Sequence, residues 1–127
     1  MEGYNAKVTF VSKDITAKDK IKLKDTSNAI SLDALTQEQD SVLISPDYFA
    51  IVQVHNDHSD DKDYTKYIIV DTAGNKYSTG STSFFTALRE IMEDMAEGAP
   101  GEEYQIEVFR KPSANYKGKT FITCSLV

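Results

Sequence analysis

Apolar and polar positions alternate with period two over most of this chain, and over one long stretch they recur with helical period instead. Ala6–Val11 (AKVTFV) reads as a strand. Asp19–Asp25 (DKIKLKD) alternates strictly, with Ile21 and Leu23 on one face, and reads as another. Ala29–Leu35 (AISLDAL) sets Ile30, Leu32 and Ala34 on a common face until the polar run Thr36–Ser41 breaks the pattern. After Pro46, Tyr48–His55 (YFAIVQVH) and Tyr64–Asp71 (YTKYIIVD) are strands rich in β-branched and aromatic residues. Between them lies the polar loop Asn56–Asp63. Thr72–Asn75 has the composition of a turn and Lys76–Thr79 returns as a short strand, which predicts a hairpin.

Ser81–Glu97 is the one convincing helix. Phe84, Phe85, Leu88, Ile91, Met92 and Met95 recur at its period, and Ser81 or Ser83 supplies an N-cap. Gly98 stands where a left-handed C-terminal residue is expected, and Pro100 prevents continuation. Glu90, Glu93, Asp94 and Glu97 give it an acidic back. Glu102–Lys111 and Lys119–Val127 close the chain as two strands joined by Pro112–Gly118, with Tyr104, Ile106, Val108, Ile122, Cys124 and Leu126 on the inward faces. This order matches a mainly β fold. Specifically, it suggests a five-stranded OB-type Greek-key barrel with one α-helix between the third and fourth barrel strands, plus extra N-terminal strands. One domain over residues 1–127 is expected, with 1–40 as the N-terminal extension and 41–127 as the barrel core.

Charge changes the picture. The net charge is -6 over 127 residues, which argues against binding duplex DNA by bulk attraction. The positive charge is nevertheless segregated, and segregated charge creates local fields. Lys7 to Lys24 holds six lysines against Asp14 and Asp19, and Val108 to Val127 holds Arg110, Lys111, Lys117 and Lys119 with no acid. On an extended strand Lys18, Lys20, Lys22 and Lys24 would share one side at about 6.6 Å spacing, comparable to phosphate separation in an extended single strand. The alternative is an edge strand guarded by lysine against aggregation.

Aromatics reinforce the cationic reading. If the even positions of the last hairpin face inward, Phe109 shares a side with Gln105, Glu107 and Lys111, and Phe121 with Lys119, Thr123 and Ser125. There they would form a platform on which bases stack, unless they build a second core. Tyr64, Tyr67, Tyr77 and Tyr116, beside Lys66, Lys76 and Lys117, extend such a surface, since tyrosine tolerates both apolar contact and water.

Other chemistry finds little support. The loop from His55 to Asp63 offers two imidazoles and four carboxylates, but without EF-hand spacing or a helix to align a zinc pair. No metal or cofactor is expected. The single cysteine, Cys124, excludes an intrachain disulfide and reads as inert packing. No nucleophile elbow or phosphate loop appears, so no enzymatic activity is expected. Neither a leader nor an apolar run of transmembrane length is seen, so no membrane partner is expected.

Tyr67–Ser78 (YIIVDTAGNKYS), the helix after it and Asn115–Val127 (NYKGKTFITCSLV) resemble small phage single-stranded DNA-binding proteins, of the type serving tailed phages whose replication is primed by a protein. The N-terminal strands match more loosely. The resemblance implies an OB fold that coats and protects single strands during phage DNA replication without sequence preference or catalysis. It also implies replication proteins as further partners and the cytoplasm of the infected host cell as the location. Tyr77 matches a tyrosine that contacts bases in that family, and Tyr48 or Phe49 corresponds to another. The chain ends at Ser125-Leu126-Val127 within a strand, so recruitment of repair enzymes through an acidic tail is not expected. The rival reading is a phage-encoded OB-fold module that binds protein, such as an inhibitor of a host defence nuclease, because fold alone does not decide function.

Overall fold

The chain order is β1 (Tyr4–Val11), α1 (Ala17–Lys24), β2 (Ile30–Ser31), α2 (Leu32–Glu38), β3 (Ser41–Ile44), β4 (Pro46–Asn56), β5 (Asp63–Asp71), β6 (Lys76–Thr79), α3 (Thr82–Gly98), β7 (Ile106–Pro112) and β8 (Thr120–Leu126). The computed structural model describes residues 3–25, 27–58, 60, 62–114 and 117–127. The fold is mainly β, as the alternation predicts, but the described strands form two sheets, β1-β4-β5-β6-β2 and β3-β7-β8, and no closed barrel is found among them. The chain divides into two compact units, Met1–Ser31 with Asp47–Gly80, and Leu32–Pro46 with Ser81–Val127. These units interleave along the sequence. Among the described residues no helix is long and apolar enough to cross a membrane.

The first unit is built on β4, whose Tyr48, Ala50, Val52 and Val54 point to one face and are buried with Ile68 of β5 and Leu23 of α1. β1 runs antiparallel to β4, supplying Ala6, Val8 and Val11 to that core. The predicted β5–β6 hairpin forms. Asp71 fastens its turn: Oδ1 accepts from the backbone N–H of Ala73 at 3.0 Å and of Asn75 at 2.8 Å, while Asn75 Nδ2 donates to Oδ2 at 3.0 Å. Gly74 takes φ +90° there, a conformation that costs glycine nothing. β2 is only two residues long and pairs in parallel with β6.

The segment Asp19–Asp25 is not a strand. Residues 17–24 form α1, and the reason lies at its ends. The side chain of Thr16 accepts from the backbone N–H of Asp19 at 3.1 Å, capping the first turn. Asp19 sits near the positive end of the helix dipole, and Lys22 and Lys24 sit near the negative end, each on its favoured side. Lys76 Nζ then donates to the carbonyls of Lys22 and Asp25, both at 2.7 Å, placing a cation at the negative end of the helix. Leu23 alone is buried, at 2 % exposure, while Ile21 is 66 % exposed. Positions two apart on a helix diverge by about 200°, which splits the expected apolar pair.

Leu32–Leu35 is likewise helical. Leu32 and Thr36 are buried at i, i+4 spacing, and Thr36 Oγ1 donates to the Leu32 carbonyl at 2.7 Å. The second unit joins this helix to α3 and the three-stranded sheet. α3 begins at the predicted cap, Ser81, whose side chain accepts from the Phe84 N–H at 3.2 Å. It lies along β8 and buries Phe84, Phe85, Leu88 and Met92. Its end differs from expectation. The helix runs through Gly98 and is capped at Ala99, and the left-handed glycine is Gly101, φ +81°.

Candidate nucleic-acid interface

In β7 and β8 the even positions Ile106, Val108, Ile122 and Cys124 turn inward and are buried, whereas Leu126, expected inward with them, is 50 % exposed at the strand end. The intervening residues therefore face the other way. Antiparallel partners share a face, and the register aligns Glu107 with Ser125, Phe109 with Thr123 and Lys111 with Phe121. β3 extends the same face by pairing Ser41 with Phe109 and Leu43 with Glu107. The result is a surface on which Phe109 and Phe121 are diagonal neighbours, at the roughly 7–8 Å typical of that relation. Phe121 is 37 % exposed, Leu43 56 %, and Phe109 is half-buried. Lys111 Nζ lies 5.8 Å from the Phe109 ring centroid, within cation–π range. Lys119 is exposed just before β8, and its carbonyl accepts from the Ser113 N–H at 2.8 Å, which ties the ends of the hairpin loop. Glu107 brings a carboxylate to this face, opposite Leu43 on one side and Ser125 on the other.

Arg110, a cation of the second positive stretch, is held by hydrogen bonds within its own unit. It falls on the inward phase, and its guanidinium braces the unit. Nε donates to Thr36 Oγ1 at 3.0 Å, Nη1 to Thr120 Oγ1 at 3.2 Å and Nη2 to the Asp33 carbonyl at 3.1 Å. Lys117 is exposed in the loop. Tyr116 lies outside the described residues.

The remaining predicted residues belong to the first unit. Lys18, Lys20, Lys22 and Lys24 are all exposed on α1, but the helix separates them into two i, i+4 pairs, Lys18 with Lys22 and Lys20 with Lys24, on flanks of the exposed Ile21. They do not form the single row that a strand would give. The three tyrosines are half-buried. Tyr64 packs against the core. Tyr67 and Tyr77 stand on the opposite face, opposite Thr79 and Ile69 respectively. Burial, then the nearby Asp71 carboxylate, raises the Tyr77 phenol above its ordinary pKa. Tyr48 and Phe49 are both buried, at 9 % and 2 %, which leaves little ring surface for a base.

Two features escape the reading of the sequence. Leu43 belongs to β3, whose only signal is the brief alternation SVLI before Pro46. His55 is held by both ring nitrogens, with Nδ1 2.8 Å from Asp63 Oδ1 and Nε2 2.8 Å from Asp57 Oδ1. The hydrogen bonds to Asp63 and then Asp57 raise its pKa. The Cys124 thiol is pushed up to about 12 by burial, so no thiolate is available there at neutral pH.

Comparison with family models, with curated proteins and with solved structures gave no match.

Proposed function

We propose that the protein binds single-stranded DNA without sequence preference through the solvent-facing side of the β3-β7-β8 sheet, and that it protects single strands during phage replication. The observation that carries this reading is the gathering of exposed Phe121, Lys111 and Lys119 around the half-buried Phe109 on one side of the β7–β8 hairpin. Base–aromatic stacking contributes about 1–3 kcal/mol per base and tolerates any sequence, because every base has a flat face. Lysines beside the rings supply the phosphate contacts, and the exposed lysines of α1 add positive field in the first unit. The reading needs an accessible local surface and holds without closure into a five-stranded OB barrel. The setting in phage replication is supported by the resemblance of Tyr67–Ser78 and Asn115–Val127 to phage single-strand binders.

The test is titration of a fluorescent oligo(dT) at two salt concentrations. Affinity is expected to fall as salt rises, through counterion release, and Lys111→Gln is expected to lower the salt slope by about 1. Absence of binding at low salt overturns the proposal. One observation favours a second reading, a protein-binding face. Leu43 is 56 % exposed beside Glu107, and an aliphatic side chain contributes to a protein interface but not to stacking.

A further inference from the structure

β1 contains a bulge that changes which residue meets solvent. Its register with β4 runs from Tyr4 opposite Asn56 to Val8 opposite Val52, then skips Thr9 and resumes with Phe10 opposite Ile51. Without that extra residue Phe10 would continue the phase of Ala6 and Val8 and enter the core. With it, Val11 takes the inward place, packing against the core, and Phe10 is turned out to 39 % exposure. Bulges re-aim side chains in this way and are over-represented at functional sites. The turned-out ring is held firmly. It stacks on Phe49, with centroids 5.7 Å apart and planes at 29°, and Phe49 is itself 2 % exposed. Phe10 also lines a hollow of about 230 Å³ together with Thr9, Lys13, Asp14 and Lys20. Lys13 is shared with Asp47 at 2.8 Å, whereas Lys20 is exposed on α1 and enters no ion pair among the described residues.

We infer that Phe10 and Lys20 form a second nucleotide subsite, in which a base stacks on the Phe10 ring and its phosphate meets the Lys20 ammonium. The ligand class is a nucleotide unit of single-stranded nucleic acid, so the inference rests on the reading proposed above while using residues of the other unit. Charge sets the preference: Lys20 attracts a phosphate, and Asp14 in the same hollow opposes it. A flat ring on a rigid support beside a lysine is what a sequence-tolerant subsite requires. The subsite is invisible to period-two counting, which assigns Phe10 to the interior.

The experiment is photo-crosslinking of a bromodeoxyuridine-substituted oligo(dT) to the full chain, with the adduct mapped by mass spectrometry. Oligo(dT) affinities of Phe10→Leu, Lys20→Gln, Asp14→Asn and Phe121→Leu are measured alongside. An adduct on the peptide carrying Phe10 is expected. Phe10→Leu keeps the apolar contact with Phe49 but removes the flat ring, and is expected to weaken binding roughly tenfold. Lys20→Gln is expected to weaken binding and lower the salt slope by about 1, and Asp14→Asn to strengthen it. If Phe121→Leu loses affinity while Phe10→Leu and Lys20→Gln bind like the parent and no adduct forms at Phe10, the subsite is wrong and the sheet-face reading survives. If the parent protein binds no oligo(dT) at low salt, both fall. Should Phe10→Leu unfold, the adduct and the Lys20→Gln affinity decide.

Discussion

The segment DKIKLKD alternates apolar and polar residues throughout and the hairpin strand IEVFRK only over its first three, yet the first is the helix α1 and the second the strand β7. The difference is decided outside the alternating residues. α1 has a threonine cap at its start, an acid in its first turn, lysines in its last turn and the Lys76 ammonium on its final carbonyls. β7 has none of these, and has β3 on one side and β8 on the other to complete its hydrogen bonds. Lysine and leucine are good helix formers, whereas valine, isoleucine and phenylalanine favour a pleated surface. Period two is thus a necessary sign of a half-buried strand, but over seven residues it is weaker than end chemistry. The consequence reaches function. The lysines of α1 are spread around a helix, while the aromatic residues of β7 and β8 are gathered onto one face.

The sharpest break between the two interpretations of DKIKLKD comes from its apolar pair. On a strand Ile21 and Leu23 would be equivalent. On the helix only Leu23 is buried, so Leu23→Ala is expected to destabilise by about 2–5 kcal/mol. Ile21→Ala should stay within about 0.5 kcal/mol of the parent. Urea unfolding of the two variants decides the matter, and equal losses would restore the strand.

On the hairpin side, Phe121→Ala is expected to cost about 1–3 kcal/mol of single-strand affinity. Its unfolding midpoint should move less than that of Leu23→Ala, because the ring is 37 % exposed. A protein that loses stability but keeps its affinity would mean that the ring serves packing. Smaller again is the cap of α1. Thr16→Ala removes the acceptor for the Asp19 N–H and is expected to cost about 1 kcal/mol, while Thr16→Asp should retain most of it.

β4, β5, β6, β7, β8 and α3 were legible in the sequence because each is long, or carries its own turn and cap: Asp71 and Gly74 in the hairpin, Ser81 before the helix. The outward phase of Phe109 and Phe121 was legible because four buried neighbours fix the parity of the pair. α1 and α2 were not, because eight- and seven-residue helices offer too few turns for a period to show against alternation. Closure of the sheets depends on long-range pairing, which no local pattern contains. Nor could parity foresee the bulge at Thr9, since one inserted residue reverses every later assignment. Arg110 was legible as a cation but not as a brace, because its partners Asp33 and Thr36 lie on α2, whose sequence has the pattern of a strand followed by a polar break.

The least effect is expected from the exposed clasp on His55, which belongs to neither compared element and serves as a control on both. Its pKa is raised in the folded protein by Asp63 and Asp57. The stabilisation is therefore fully present below the unfolded value of about 6.5 and is lost as pH rises through the raised folded value. His55→Gln is expected to flatten that part of the profile of unfolding midpoint against pH, leaving the responses of Leu23 and Phe121 variants unchanged. A parent profile with no decline in that window would contradict the clasp.

The central claim, that single strands lie on the outward face of the three-stranded sheet, is tested most directly by following backbone amide resonances of the ¹⁵N-labelled protein as oligo(dT) is added. The account predicts that Phe109, Lys111, Lys119, Phe121 and Thr123 shift together and saturate with the oligonucleotide. Saturable binding that leaves these five resonances unmoved would contradict it.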